Sequence, residues 1–555
     1  MDKNLNTGSR KHDVSLPHVP TTYLIQQRAG LERLHQFDNQ CSKLDTNRES
    51  GVNLFFSAVR IRDFAAPGAP VHKPCVTVTR LATTLLFILA ALALFAQAQP
   101  PAARPNRVPG PRPAPDLSEY RVYSDPPRLL LNARRLRLLR RERERQSMRW
   151  QQFAALIEGH ARMPEPGLSG ALYGVVADSK SGCDSALEWS LGPADPQSPN
   201  DLRQMALTAD WCSALAGPDR LTRLRNRLLP ALKTRPRDVI ALRSAAFAAI
   251  AVADAAPKES AGLLQYAVDE WWRQQIAPRL RAGEDPFPSR AALLALTEFT
   301  TVVRDVLRID PREDAVHWFN ELAPRMMLSY YPIPRHEAEN EYRIAAYHGS
   351  GDPDLTESVN ARAAEFMLVA ADPNGQPTQF LQGWLMQDRF LMRSPLGAPY
   401  ELLWANPYLP GLSFSYMPDL YHGHGRLFAR SSWEEDATWF GLWDGEAQIY
   451  RDGQRTSIQT WTERPPLDLG PVRIFFGGAP AEFDTAWFKP QDDETKPVEQ
   501  VAFVSGLDAG AAYDVRLNEG KPKLFNADSS GVLELRFEPG MKCHVRVRKH
   551  GAAAR

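Results

Sequence analysis

Apolar residues recur at the three- and four-residue spacing of an amphipathic helix through a succession of stretches, about 200–216, 219–233, 236–255, 259–281, 288–308, 311–327 and 356–371. Short breaks separate them, such as Ala216-Gly217-Pro218-Asp219 and Thr234-Arg235-Pro236. Helices joined by turns this short must run antiparallel, so the pattern predicts a chain of αα-hairpins. An earlier helix is predicted where Asn132 can cap a segment with Leu136 and Leu139 on one side and arginines around the rest. With Glu142 and Glu144 among those arginines, that face reads as a solvated one.

The period changes in the C-terminal part. Residues 389–418 are rich in proline, glycine and aromatics, which suits a long ordered connection. From Gly425 onward short β segments follow, near 426–432, 437–443, 446–450, 472–476, 501–504, 512–517, 532–537 and 544–548. Asp444-Gly445 is a two-residue hairpin signal between the second and third. Alternation in segments such as Val532-Leu533-Glu534-Leu535-Arg536-Phe537 suits sheets with one wet face. The pattern alone thus gives a helical half followed by a β half.

The strongest apolar run lies outside both halves. Residues 81–95 (LATTLLFILAALALF) follow Arg80 and precede Ala96-Gln97-Ala98. Fifteen such residues are short for a membrane span, which needs about 20, and fit a signal-peptide core cleaved before Gln99. An uncleaved anchor and a buried helix are the alternatives. Residues 1–70 are polar and without clear period, and no methionine occurs between Met1 and Met148; a start near Val71, Val76 or Val78 would explain that preamble as non-native. The expected organisation is therefore an extension (1–70), a signal peptide or anchor (71–98), a Pro-rich linker (99–117), a helical domain (118–388), a connection (389–424) and a β domain (425–555).

Composition narrows the function. The chain has 555 residues, with 66 Lys+Arg against 65 Asp+Glu. A net charge so near zero argues against a dedicated nucleic-acid binder, which needs a basic surplus. Its 43% hydrophobic and 24% charged content excludes wholesale disorder. Five cysteines exclude a disulfide framework, and their spacing matches no zinc motif. Past Gln99 only Cys183, Cys212 and Cys543 remain; export would permit a Cys183–Cys212 pair, and three buried thiols are the alternative. No nucleophile elbow, phosphate-binding loop or dinucleotide fingerprint is visible, and no cofactor or metal is expected.

Three motifs point to a family. Pro127-Arg128-Leu129-Leu130-Leu131-Asn132, Thr208-Ala209-Asp210-Trp211-Cys212, and the segment from Arg430-Ser431-Ser432-Trp433 to Trp439 together resemble the heparinase II/III-like polysaccharide lyases. That resemblance implies an α/α-toroid, here incomplete, followed by an antiparallel β-sandwich. It also implies export and β-eliminating cleavage of a uronate-containing polysaccharide. Such cleavage needs a group that neutralises the carboxylate, a Tyr or His base, and an acid for the leaving oxygen. Candidate bases are His336, Tyr342, Tyr347 and His348 in one stretch, Tyr408 in another, and Tyr421, His422 and His424 at the junction of the halves. Tyr347, His348, Arg343 and His422 are the expected catalytic set; Arg335, Asn340, Asn406, Tyr408 and Trp404 are expected to hold substrate. Trp433, Trp439 and Trp443 could stack on sugar rings or fill core. The family's histidine-bearing loop after the RSSW segment is replaced here by a tight hairpin, 439–450, without histidine. A catalytically silent relative that binds glycan or serves the cell envelope is therefore the alternative, and a toroid glycoside hydrolase with two facing carboxylates is a third reading. The expected partner is an acidic polysaccharide, with no nucleic acid and with membrane contact only through an uncleaved 81–95.

Overall fold

The computed structural model describes residues 117–336, 341–388, 392–458, 461, 465–488 and 498–551. The signal-like run, the linker, the preamble and Asn340 lie outside the described residues.

The helical part begins with α1 (Ala133–Glu144), capped by Asn132 as expected, and α2 (Met148–Glu158). It continues with α3 (Pro166–Ala177), α4 (Lys180–Leu191), α5 (Pro199–Trp211), α6 (Pro218–Leu228), α7 (Val239–Ala251) and α8 (Pro257–Gln265). A π-helical turn, Tyr266–Ile276, runs from α8 into α9 (Ala277–Arg281). Then follow α10 (Arg290–Leu307), α11 (Val316–Leu328), α12 (Leu355–Ala371), α13 (Gln376–Gln387) and α14 (Gly397–Trp404). Helix α3 escapes a periodicity reading because it is small and apolar nearly all round, and glycines let it lie against α4. An added Cβ at Gly174 would stand 2.6 Å from the Cys183 sulfur. Cys183 and Cys212 form a disulfide between α4 and the end of α5, and Cys543 is a buried free thiol. No helix among the described residues is long and apolar enough to cross a membrane.

Helix contacts close on themselves. Helix α3 packs on α5, α5 on α7, α7 on α10, α10 on α12, α12 on α14, and α14 returns to α3. Helix α4 packs on α3 and α5, α6 on α5 and α7, α8 on α7, and α13 on α11 and α12. The inward residues are charged as well as apolar. Glu298 of α10 is fully buried between Arg203 of α5 and Arg243 of α7, and Arg203 also reaches Glu165, just before α3, at 3.0 Å. Tyr400 of α14 donates to Glu165 at 2.7 Å. Burial opposes the charge on Glu298, but its two guanidiniums outweigh that and hold its carboxyl below the usual range.

Among the described residues the strands form a short ribbon, β1 (Arg335–His336) with β2 (Glu341–Tyr342), and three larger sheets. The first sheet is β3 (Leu420–Gly423), β4 (Arg426–Arg430), β5 (Trp439–Trp443), β6 (Glu446–Arg451) and β7 (Gln454–Ile458), in that order and antiparallel. The predicted connection 389–424 therefore contains a helix and the first strand of this sheet. Strands β8 (Leu467–Leu469), β9 (Val472–Phe475), β11 (Gln500–Val504) and β14 (Leu533–Phe537) make a middle sheet ordered β14-β11-β9-β8. Its β9 and β11 run parallel, a departure from the antiparallel expectation. Strands β10 (Ala481–Asp484), β15 (His544–Lys549), β12 (Ala512–Leu517) and β13 (Lys523–Asn526) make an outer sheet.

Layering follows from alternation. Val501 and Phe503 of β11 share a core with the first sheet, and Ala502 and Val504 share one with the outer sheet. The middle sheet is thus covered on both faces, which is why β11 is apolar without a break. The first sheet is two-faced as well. Leu427, Ala429, Phe440, Leu442, Ala447 and Ile458 face the middle sheet, while Phe428, Trp439 and Trp443 join the helical core. Cross-strand register places Arg426, Glu446 and Gln448 on that helix-facing side too.

Candidate functional site

A cavity of about 370 Å³ opens where the N-terminal ends of α10 and α12 meet the helix-facing side of the first sheet. Its helical wall includes Arg290, Leu293, Arg325, Asp354 and Glu357, and its sheet wall includes Arg426, Phe428, Trp443 and Asp444. The segment after α11 completes it with Tyr347, His348 and Asp352. Caps place the helix ends: Ser289 accepts the Ala292 amide, Asp354 accepts the Thr356 amide, and Glu357 accepts the Arg290 amide at 2.9 Å.

His348 is the group best placed for proton transfer. Its Nδ1 lies 2.6 Å from Glu446 Oε2 and its Nε2 lies 3.6 Å from Asp444 Oδ2. The ring stacks on Trp443 at 4.8 Å and 26°. Glu446 is itself fixed by the Gln448 amide at 2.9 Å and the Ser457 hydroxyl at 3.0 Å. Burial works against its charge, but the hydrogen bonds from Gln448, His348 and Ser457 hold its carboxyl below the usual range. A carboxylate at Nδ1 keeps the proton on that nitrogen and leaves Nε2 as the basic lone pair.

Two guanidiniums also line the cavity, Arg325 on the helical wall and Arg426 on the sheet wall, where Arg426 shares Asp444 with His348. Arg325 and Arg426 each lie 3.0 Å from the same buried oxygen of Asp285, and Arg426 reaches Asp444 at 3.7 Å. Arg325 is further held over Trp318 at 4.9 Å. One carboxylate shared between two arginines leaves cationic donor capacity for a second carboxylate.

The remaining sequence candidates distribute as follows. Tyr347 lines the cavity, but its hydroxyl donates to the Gly351 carbonyl at 3.0 Å and Arg455 covers its ring at 4.1 Å. Arg335 pairs with Asp352 at 3.2 Å at the cavity's edge. Arg343 is not brought to the cavity: its guanidinium donates to the Pro332 carbonyl, reaches Glu435 at 3.5 Å and lies over Trp384 at 5.2 Å. Nor is His422, whose ring nitrogens meet Glu534 at 2.5 Å and Asp528 at 3.1 Å, tying β3 to β14 and its preceding turn. His424 bonds Glu321 at 3.0 Å, and Tyr421 is buried. Trp404, Asn406 and Tyr408 lie elsewhere, at the far end of the helical part; Trp404 is buried under Arg135 at 4.3 Å. Trp439 is core, its indole donating to the Leu328 carbonyl at 2.7 Å. Trp433 packs on Phe414 and Trp384, with Arg430 over its ring at 4.3 Å. The RSSW segment therefore clamps the sheet to α13 and does not line the cavity.

Arg325, Arg426, Asp285 and the Glu446 partner were missed by the sequence reading. The period-two spacing Arg426-x-Phe428 and Glu446-x-Gln448 carried a signal for one shared face. Asp285 and Arg325 carried none, because only tertiary packing joins them. Among the described residues no group of three or more His, Cys, Asp or Glu side chains is arranged to hold a metal.

No family model matches the chain, and no curated protein matches it. Among solved structures the chain is similar to one described as the GH127 β-arabinofuranosidase, at 11% identity and a TM-score of 0.26, over 78% of this chain and 80% of that one. The resemblance to the heparinase II/III-like lyases therefore stands on its three sequence motifs alone.

Proposed function

We propose that the protein is an exported carbohydrate-active enzyme whose working site is the cavity between the helix ends and the first sheet. The single observation that carries this reading is the His348–Glu446 pair, stacked on Trp443 and lining one cavity with the Asp285-bound arginines. In a β-elimination, Arg325 and Arg426 neutralise the uronate carboxylate and His348 Nε2 removes the adjacent proton. Asp444, beside that nitrogen, is placed to exchange the proton with the leaving oxygen. Relative to the sequence expectation, the clamp passes from Arg343 to Arg325 and Arg426, and the base is His348 in preference to Tyr347, whose hydroxyl is already committed.

The finer architecture belongs to the same proposal. An α/α-toroid is supported by the closed order of the six helices, and a β-sandwich by the stacked sheets with cores between them. Export is supported by the 81–95 run and by a disulfide, which oxidising compartments permit.

Carboxylates on both walls, Asp354 and Glu357 on the helices and Asp444 on the sheet, favour a second reading, hydrolysis of a glycosidic bond. Incubating the full chain with a panel of uronate-containing and neutral polysaccharides separates the two. Unsaturated products that absorb in the ultraviolet mean elimination, and new reducing ends without that absorbance mean hydrolysis. Neither product, with binding retained, would leave only the glycan-binding alternative.

A further inference from the structure

A second cavity, of about 280 Å³, lies at the other end of α10 and α12. Leu293 borders the first cavity and Arg304 borders this one. At 1.5 Å per residue they stand about 16 Å apart along α10. The buried Arg203–Glu298–Arg243 cluster lies between the ends, so the two cavities do not communicate through the middle of the helices.

The lining of this second cavity carries Arg134, Arg135 and Arg304 against the single carboxylate of Asp305. Asn132 uses its side-chain oxygen on the Arg135 amide, and Asn406 uses its own on the Tyr408 amide. Each is left with an NH2 group that has no partner among the described residues. Arg134 also lines the cavity without a partner among the described residues. The one carboxylate of the lining, Asp305, pairs with Arg304 at 2.8 Å through one oxygen, and Arg304 also donates to the Ala371 carbonyl at 2.9 Å. Tyr408, 70% exposed, lies outside the lining but two residues from Asn406, to which its amide donates. An excess of guanidinium beside side-chain amides suits a ligand rich in anionic oxygens, and an exposed tyrosine at the rim suits a sugar.

We infer that this cavity is a remote binding site for an anionic saccharide unit, one carrying a carboxylate or a sulfate, set at the opposite end of the helical part from the reaction site. This rests on the carbohydrate reading above and extends it to a second contact with the same polymer. It also gives Asn406 and Tyr408 a place in substrate binding, although they lie far from His348.

Calorimetric titration of the full chain with a uronate oligosaccharide, a sulfated oligosaccharide, a neutral glucan and inorganic sulfate tests it. Arg134→Ala, an exposed change, should weaken the anionic oligosaccharides at least tenfold and leave the melting temperature and the neutral glucan unaffected. Adding Asn406→Ala should weaken them further. A Trp443→Ala chain, altered only at the reaction cavity, should retain this Arg134-dependent binding. Uronate or sulfate preference tells the two anions apart. Unchanged affinity in Arg134→Ala, no binding by the unaltered chain, or tight binding of inorganic sulfate alone would each overturn the inference. Loss on Trp443→Ala with no response to Arg134→Ala would overturn it while leaving the reaction cavity in place, and the reverse result would do the opposite.

Discussion

His348 and His422 each stand between two carboxylates, and their surroundings send them to different work. His348 is 43% exposed at its side chain, at a cavity wall, with one nitrogen held close and the other 3.6 Å from its neighbour. His422 is 12% exposed and bound tightly at both nitrogens. Burial disfavours its charge, but the hydrogen bonds of Asp528 and Glu534 outweigh that and lift its pKa from 6.5 to about 9. A raised folded-state pKa stabilises the fold fully below about 6.5, and that contribution is lost as pH rises through 9. Asp528 and Glu534 are held below their usual values, so their share appears above the ordinary carboxylate range and is lost in acid. At 1.36 kcal/mol per unit the histidine contributes about 3 kcal/mol. Denaturant midpoints should therefore fall between pH 6.5 and 9, and His422→Gln should flatten that slope without altering turnover. For His348 the expectation reverses: His348→Ala should cost turnover about a hundredfold or more with melting unchanged, and Glu446→Gln should cost less. Equal loss of stability in His422→Gln and His348→Ala would refute the division.

At the level of elements, the first sheet shows how one pattern serves two neighbours. Residues of β5 alternate Trp439, Gly441, Trp443 toward the helices and Phe440, Leu442 toward the middle sheet, and every one of them is buried. Gly441 is glycine because an added Cβ would stand 2.2 Å from the Trp439 indole, which lies across the strand. Gly441→Val should force that indole off the Leu328 carbonyl and cost about 1–3 kcal/mol, read as a lower melting temperature with quenched or shifted tryptophan emission. An unchanged melt would show that the strand can absorb the side chain. The same alternation explains what the sequence made legible. Helix periods and the Asp444-Gly445 turn announced their elements, because each element's own residues carry the signal. The three-sheet stacking was not legible, since a strand buried on both faces, such as β11, has no wet side to mark its register. Helix α14 was read as connection because it is short and begins Gly397-Ala398-Pro399. His348 and Tyr347, which line the first cavity, stand out in sequence because their stretch is locally unusual. Arg426 and Asp285 were not, because their pairing spans 141 positions of sequence and exists only once the sheet docks on the helices.

Across the whole molecule, the closed order of helices buries charge as well as hydrocarbon between its members. Glu298 has no exposure and two arginine partners, a buried arrangement in which attraction and desolvation nearly cancel. Its effect is then one of placement: Glu298 lies on the same helix whose N-terminal end borders the first cavity, and locking α10 to α5 and α7 fixes that end. Removing one partner leaves unpaired buried charge, so Glu298→Ala should destabilise by about 3–5 kcal/mol. Replacing Arg203, Glu298 and Arg243 together with apolar residues of similar volume should cost less than that, because Glu165 alone then loses a charged partner and keeps the Tyr400 hydroxyl. The informative measurement is activity in that triple variant. If charge pairing sets the position of α10, the well-folded triple variant should lose turnover through displaced Arg290 and Glu357 and a misaligned wall opposite His348. Full activity with full stability would mean that apolar packing places the helix unaided, and that the buried ions do nothing for the site.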